Sequence, residues 1–251
     1  MNPSEGALPG HFYLVGVGPG SPDLLTLRAV AVIRSCAVLV APRSESSSES
    51  LALQVAAAYI DKQEVIERIY PMARNQQQTE SCWAAVADVI AARCQDGRSV
   101  AHLTIGDPLL YSTAGYLMEQ IAARMPRERW HVVPGISAFQ TAAAIARQRL
   151  TLQNDRLMVM PATCIPDVEA ALTSCETLAL YKVGPRLKQL AAMLKRHNLA
   201  AQAYLVARAC QPGKELVLQG LDSITSEEIG YMSTVIVPVG HRPWTRTGEG
   251  G

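Results

Sequence analysis

The feature that most constrains this chain is a motif used three times before residue 140. An apolar run ends in a glycine or proline turn, and an amphipathic stretch follows. Phe12-Tyr13-Leu14-Val15-Gly16-Val17 runs into Gly18-Pro19-Gly20-Ser21-Pro22-Asp23. Leu103-Thr104-Ile105 runs into Gly106-Asp107-Pro108, and Val132-Val133 into Pro134-Gly135. Short continuous apolar runs suit strands buried on both faces, as in parallel sheets, and amphipathic stretches between them suit the crossover helices. The alternation predicts an α/β fold.

The same reading predicts strands over residues 12–17, 37–40, 64–70, 99–104 and 130–133. Helices are expected over 24–35, 51–59 and 77–94, from the Gly106 turn to about residue 124, and from Ser137 onward. In the first helix Leu24, Leu27 and Ala31 have helical spacing and read as its buried face. The serines before Leu51 are candidate caps for the second helix. Beyond Ser137, strands are expected over 156–160, 177–182, 203–207, 215–219 and 234–238, with a helix over 185–196 that opens on Pro185. Helices thin out toward the end, which predicts a mixed second sheet. A chain of 251 residues has room for two modest cores. We place the boundary near Pro134: an N-terminal α/β domain over 1–133, a C-terminal α/β domain over 134–243 and a disordered tail over 244–251.

The formal net charge is +1, which gives no broad basic face for nucleic acid. No apolar run is long enough for a bilayer, and the first residues lack the basic-then-apolar order of a signal peptide. A cytoplasmic protein is expected. The six cysteines, Cys36, Cys82, Cys94, Cys164, Cys175 and Cys210, contain no C-x-x-C pair. The five histidines, His11, His102, His131, His197 and His241, are dispersed. Neither a protein-bound metal nor a disulfide framework is expected.

The first turn is not a dinucleotide fingerprint. Its spacing departs from G-x-G-x-x-G, Pro19 removes an amide that would meet phosphate, and no acidic residue stands in Leu39-Val40-Ala41-Pro42 to take a ribose. It reads as a rigid loop for close approach of a ligand, with a plain strand-to-helix turn as the alternative. Gly106-Asp107-Pro108 alone is a common turn. Its place at a strand end, before Tyr111-Ser112-Thr113, makes it a candidate ligand loop. Pro134-Gly135-Ile136-Ser137-Ala138 opens a helix whose first amides could serve a ligand, or is an interdomain turn with Ser137 as a cap. His102 lies in a strand and reads as a core or cleft polar group. Arg43, Arg74 and Arg147 read as solvated surface charges.

Taken together, the three segments resemble the tetrapyrrole (corrin/porphyrin) methylases, and the resemblance runs from about residue 12 to 239. It implies two α/β domains with a cofactor cleft between them. It also implies S-adenosylmethionine as methyl donor, S-adenosylhomocysteine as product, a tetrapyrrole substrate and a homodimer, for which the alanine-rich helix over 83–92 is a candidate surface. Leu103-Thr104-x-Gly106-Asp107-Pro108-x-x-Tyr111-Ser112-Thr113 with Tyr116-Leu117 is similar to one branch of the family. So are Tyr70-Pro71-Met72 with the glutamines and Trp83 that follow, and Tyr181-Lys182-Val183-Gly184. That branch methylates C20 of precorrin-2 or cobalt-factor II in cobalamin (vitamin B12) biosynthesis. Branches that methylate C11 or C17, and a non-catalytic tetrapyrrole or nucleoside binder, are the alternatives. The resemblance implies that Pro19, Ile105, Gly106, Asp107, Leu110, Thr113, Ser137, Ala138, Tyr181, Lys182, Arg208 and Ala209 meet the cofactor. Lys182 stands where many relatives have Met. Tyr111 is a candidate proton relay, and any cobalt arrives with the substrate.

Overall fold

A computed structural model of the chain describes residues 6–43, 48–69, 76–222, 224, 229 and 232–240, with the backbone alone for 76–78. Tyr70-Pro71-Met72, Arg74, His241 and the tail over 244–251 lie outside the described residues, as do the side chains of the glutamines at 76–78. The chain divides into two compact units after Ser137.

The first unit is a parallel sheet of β1 (Phe12–Gly16), β2 (Val38–Arg43), β3 (Glu64–Ile69), β4 (Val100–Thr104) and β5 (Trp130–Val133), in the order β3-β2-β4-β1-β5. Successive side chains of a strand face opposite ways, and both faces of this sheet are covered. Phe12 and Leu14 enter one core with α3 (Gln76–Gln95) and α4 (Ala114–Ala122). Tyr13 and Val15 enter the other with α1 (Leu27–Ser35) and α2 (Leu51–Ala56). This is why β1 reads as an unbroken apolar run. Full burial of a side chain such as Leu14 or Leu103 contributes about 1.5–3 kcal/mol.

The buried face of the first helix differs from the sequence expectation. The Thr26 side chain accepts the Ala29 N–H at 3.1 Å, so α1 starts at Leu27, and Leu24 belongs to a separate turn of 3-10 helix. With that start Ala29, Val32 and Ile33 face the core, and Leu27 is 87% exposed. Ser50 holds the N-cap position of α2, but its hydroxyl makes no cap; its amide donates to Glu67 Oε2 at 3.0 Å. On α3, Trp83, Val86, Ala87, Ile90 and Ala91 are buried within the unit's own core, so the apolar face of that helix is not left over for a partner.

The second unit comprises α5 (Ala138–Ile145), β6 (Leu157–Pro161), α6 (Ile165–Ala171), β7 (Thr177–Tyr181), α7 (Leu187–Arg196), β8 (Tyr204–Ala207), β9 (Leu216–Gln219) and β10 (Ser233–Pro238). Its sheet has the order β6-β7-β10-β8-β9; β6 and β7 are parallel and the remaining pairs antiparallel. The mixed second sheet expected from the sequence is present. Helices α6 and α7 pack in one core, α5 in another. The sequence reading missed α6, where only Val168 and Ala171 of seven residues are buried, too few for a periodic signal. Among the described residues no helix is long and apolar enough to cross a membrane.

Candidate functional site

The three glycine and proline turns of the first unit meet backbone to backbone at the carboxyl ends of β1, β4 and β5. Gly18 and Gly106 form an antiparallel bridge: the Gly106 amide donates to the Gly18 carbonyl at 2.7 Å, and the Gly18 amide to the Gly106 carbonyl at 3.3 Å. The third turn closes on the same atoms. A Cβ on Gly16 would lie 2.5 Å from the Gly106 oxygen and 2.8 Å from the Gly135 nitrogen. A Cβ on Gly135 would overlap that same oxygen. Residues 16 and 135 are therefore glycines because neighbouring backbones occupy the space a side chain needs.

Asp107 locks this junction. Its Oδ1 accepts the Leu109 amide at 2.8 Å within its own turn, and its Oδ2 accepts the Gly135 amide at 3.0 Å across to the third turn. The family resemblance implies a cofactor contact at Asp107; its protein partners show a carboxylate holding two strand-end loops in register. Asp107→Ala is expected to leave both amides without their acceptor and to cost about 1–3 kcal/mol of stability. Asp107→Asn keeps one acceptor oxygen and should recover part of that loss. Urea unfolding of both variants checks this, and equal midpoints for wild type and Asp107→Ala would remove Asp107 from the junction.

One side of the junction stays open. Gly106 has φ +73°, and a Cβ there would meet nothing within 4 Å. The loop thus presents bare backbone toward free space, the arrangement that lets a ligand come within hydrogen-bonding range of the peptide groups. Pro19 is buried beside Gly18, while Ile105, Asp107 and Leu110 are half-buried. Thr113 is exposed and precedes α4. Thr104 Oγ1 and Ser112 Oγ lie 3.1 Å apart, and Ser112 Oγ accepts the Ala114 amide at 3.1 Å, fixing the strand end to the helix start. Tyr111 between them is 41% exposed and held at φ +50°. A non-glycine residue at positive φ stores backbone strain of order 1–3 kcal/mol, and such strain clusters at working sites. Leu109, 60% exposed, also borders a cavity of about 540 Å³ lined by Met118, Arg127, Trp130 and Val132.

In the second unit Tyr181, Lys182, Arg208 and Ala209 lie at the carboxyl ends of β7 and β8, the two strands that flank the central β10. Tyr181 ends β7, and its hydroxyl accepts the amide of Phe139 at 3.1 Å, in the first turn of α5 after Ala138. Lys182 follows Tyr181 at φ +56°, and Arg208 follows β8 at φ +51°. Ala209 packs against the core that holds Ala142 and Ile236. Ser137 is buried. Neither the Tyr181-to-α5 bond nor the strained backbone could be read from the sequence, since neither leaves a spacing pattern.

His102 lies in β4 and is 1% exposed; burial lowers its pKa to about 4, so it is neutral near pH 7. Trp83 stands edge-on to it with ring centroids 6.5 Å apart, and Tyr116 stacks on Trp83 at 6.4 Å. His11 and His131 stack at 5.2 Å beside the opposite ends of the strands. Burial lowers both, with Arg129 adding to the effect on His11, and His11 and Arg28 to that on His131.

The family model for tetrapyrrole (corrin/porphyrin) methylases matches residues 11–224. The chain belongs to this family. This tetrapyrrole methylase is 30% identical to the cobalt-precorrin-2 C(20)-methyltransferase of Salmonella typhimurium, over 91% of this chain and 96% of the relative. It is also 30% identical to the precorrin-2 C(20)-methyltransferase of a Sinorhizobium species, over 91% and 95%. Among solved structures, the uroporphyrin-III C-methyl transferase of Thermus thermophilus complexed with S-adenosyl homocysteine superposes with a TM-score of 0.65 at 21% identity, covering 90% of this tetrapyrrole methylase and 96% of that chain. Tetrapyrrole methylases use S-adenosylmethionine.

Proposed function

We propose that this protein methylates C20 of precorrin-2, or of its cobalt form, in cobalamin biosynthesis, with S-adenosylmethionine as donor. The observation that carries the reading is the fused junction of the three strand-end loops with open space before Gly106, in a chain that is 30% identical, over 91% of its length, to two relatives with C20-methyltransferase names. One of these relatives is named for cobalt-precorrin-2 and the other for precorrin-2, at equal identity, so the similarity favours neither form.

Bound S-adenosylmethionine supplies a methyl group already activated on a sulfonium. The residues of the first unit proposed to hold it are Pro19, Ile105, Gly106, Asp107, Leu110, Thr113 and Ser137. In the second unit they are Ala138, Tyr181, Lys182, Arg208 and Ala209. No covalent nucleophile is required of the protein. Its work is to fix geometry and keep water out, and positioning of this kind supplies roughly 7–11 kcal/mol. The backbone junction is suited to it because three loops that exclude side chains from one another cannot drift independently. The proton that leaves C20 is assigned to Tyr111, on the strained segment after Pro108. We place the enzyme in the cytoplasm, consistent with free thiols at Cys36, Cys94 and Cys175, and propose a homodimer, to be measured by light scattering.

The test is turnover. Labelled S-adenosylmethionine with either precorrin-2 or its cobalt form should yield one new methyl, located at C20 by NMR, and chelator treatment of the protein should not abolish turnover of the metal-free substrate. A methyl at another ring position would move the protein to another branch. No transfer with either substrate, in protein that binds S-adenosylhomocysteine, would refute the substrate assignment.

A further inference from the structure

Besides the glycine junction, the first unit carries a cavity of about 540 Å³ lined by Leu109, Met118, Arg127, Trp130 and Val132. Small-molecule sites typically enclose about 300–1,000 Å³. Trp130 and Val132 are alternate residues of the edge strand β5 and so share one face of the sheet. With Met118 of α4 they pack against the core that α3 and α4 share with β1. Arg127 belongs to the turn of 3-10 helix before β5, and Leu109 to the turn after β4. Asp107 ties two of these walls to the junction. One of its oxygens accepts the Leu109 amide, and the other accepts the Gly135 amide just past β5. Three residues of chain span at most about 11 Å, so Leu109 lies within that reach of Gly106 and the open space before it.

The chemistry of the lining is one-sided. Leu109 is 60% exposed, and an apolar body resting on it would gain from covering it. The nitrogen atoms of the lining side chains, in the Arg127 guanidinium and the Trp130 indole, are all hydrogen-bond donors. Among the described residues that line the cavity none has a carboxylate, amide or hydroxyl side chain. The neighbouring arginines are engaged: Arg124 donates to Asp88 at 2.6 Å and Arg129 to the Cys94 carbonyl at 3.3 Å. The Arg127 side chain is exposed and has no hydrogen-bond or ion-pair partner among the described residues. A flat apolar body with a carboxylate matches such a lining. An amino acid or a ribose would leave its ammonium or hydroxyl protons without side-chain acceptors.

We propose that the cavity seats one pyrrole ring of the tetrapyrrole substrate, with the carboxylate arm of that ring on Arg127. This rests on the reading of the protein as a tetrapyrrole methyltransferase. The ring packs on the Trp130 indole and the Met118 thioether, and the guanidinium fork takes the carboxylate. The rest of the macrocycle lies over Leu109, toward Gly106. Arg127 and Met118 are positioning residues, and none of the five lining residues is among those proposed to hold the cofactor.

The test measures two probes against wild type, Arg127→Gln and Met118→Trp. Arg127→Gln removes the charge at an exposed position, and Met118→Trp fills the cavity from α4. The probes are uroporphyrin III, followed by its own fluorescence polarisation, and S-adenosylhomocysteine, followed by calorimetry. Each variant should bind uroporphyrin about tenfold more weakly, the equivalent of one charge-assisted hydrogen bond. Arg127→Gln should also flatten the salt dependence, and Arg127→Lys should recover part of the affinity. S-adenosylhomocysteine affinity should stay within about twofold of wild type throughout, as for independent sites. Should Met118→Trp melt early, Arg127→Gln decides alone, since an exposed side chain contributes little to stability. Uroporphyrin binding that the variants leave unaltered would overturn the inference while the proposed function stands. So would wild type that binds no uroporphyrin yet methylates its tetrapyrrole in the turnover assay. Parallel loss of S-adenosylhomocysteine binding would place the effect in the cofactor loops and overturn it. A fall from dimer to monomer by light scattering, with porphyrin binding intact, would make this face a contact between copies and overturn it. Wild type that neither binds uroporphyrin nor methylates precorrin-2 or its cobalt form would overturn both readings.

Discussion

Gly135→Ala is expected to be among the most damaging single-methyl additions in the first unit. The new Cβ would overlap the Gly106 carbonyl oxygen and press on the Gly16 backbone 2.9 Å away. These neighbours are main-chain atoms of strand ends, so no rotamer change relieves the clash. Overpacking of a rigid site typically costs 1–3 kcal/mol and occasionally more. Here we expect about 3 kcal/mol or above, a fall in melting temperature of about 6–12 °C for a chain of this size. Gly106→Ala is the informative partner. Its Cβ meets nothing within 4 Å, and its handicap is the φ of +73°, which costs of order 1–3 kcal/mol. Gly106→Ala should therefore fold, yet lose S-adenosylhomocysteine affinity by tenfold or more, because its methyl occupies the space proposed for the ligand. Thermal melts by circular dichroism and calorimetric titration read both effects. If Gly135→Ala melts with wild type, the three turns are not in contact. If Gly106→Ala binds normally, the cofactor does not approach that loop.

Acid should destabilise the protein well above the range where carboxylates are protonated, with His102 as a principal cause. In the unfolded chain its imidazole takes up a proton near pH 6.5; in the folded protein burial delays this to about pH 4. Between those values unfolding binds a proton, so falling pH favours the unfolded state. The stability in question is complete above pH 6.5 and lost progressively down to about pH 4. A difference of this size corresponds to about 3 kcal/mol at most. The pKa values of His11 and His131 are lowered as well and act in the same direction. Urea unfolding at intervals from pH 7.5 to 4.5 should show the decline in wild type and a flatter profile in His102→Gln, whose side chain has no proton to gain. Parallel profiles would show that His102 is not the source.

Much of the fold could be read from the chain because burial on both faces writes itself into β1, β4 and β5 as continuous apolar runs. The pairing of strand and turn located all three loops of the first unit. Boundaries failed where a local contact overrides periodicity, as when Thr26 caps α1 and moves Leu27 outward. α6 failed for want of buried positions. The site was legible as residue types but not as a mechanism of assembly. Nothing in the sequence says that Asp107 reaches the Gly135 amide, or that one oxygen of Gly106 excludes side chains at both 16 and 135. Such contacts join residues distant in the chain through main-chain atoms, which carry no letter. The left-handed backbone at Lys182 and Arg208 is invisible for the same reason, since glycine would have announced it and lysine and arginine do not.

The strand order of the first sheet also governs when that sheet can form as the chain leaves the ribosome. β1 lies inside it, between β4 and β5, and Phe12 finds its partners only at Val100 and Trp130. Until β4 has emerged, the most apolar strand of the unit has nothing to pair with, and β2 and β3 can join only each other. Long-range parallel pairing is slow and leaves sticky strand edges exposed meanwhile. The nascent chain therefore passes through a long interval in which β1 is vulnerable to wrong partners. Yield in a heterologous host should depend more on chaperone capacity and synthesis rate than on the stability of the finished enzyme.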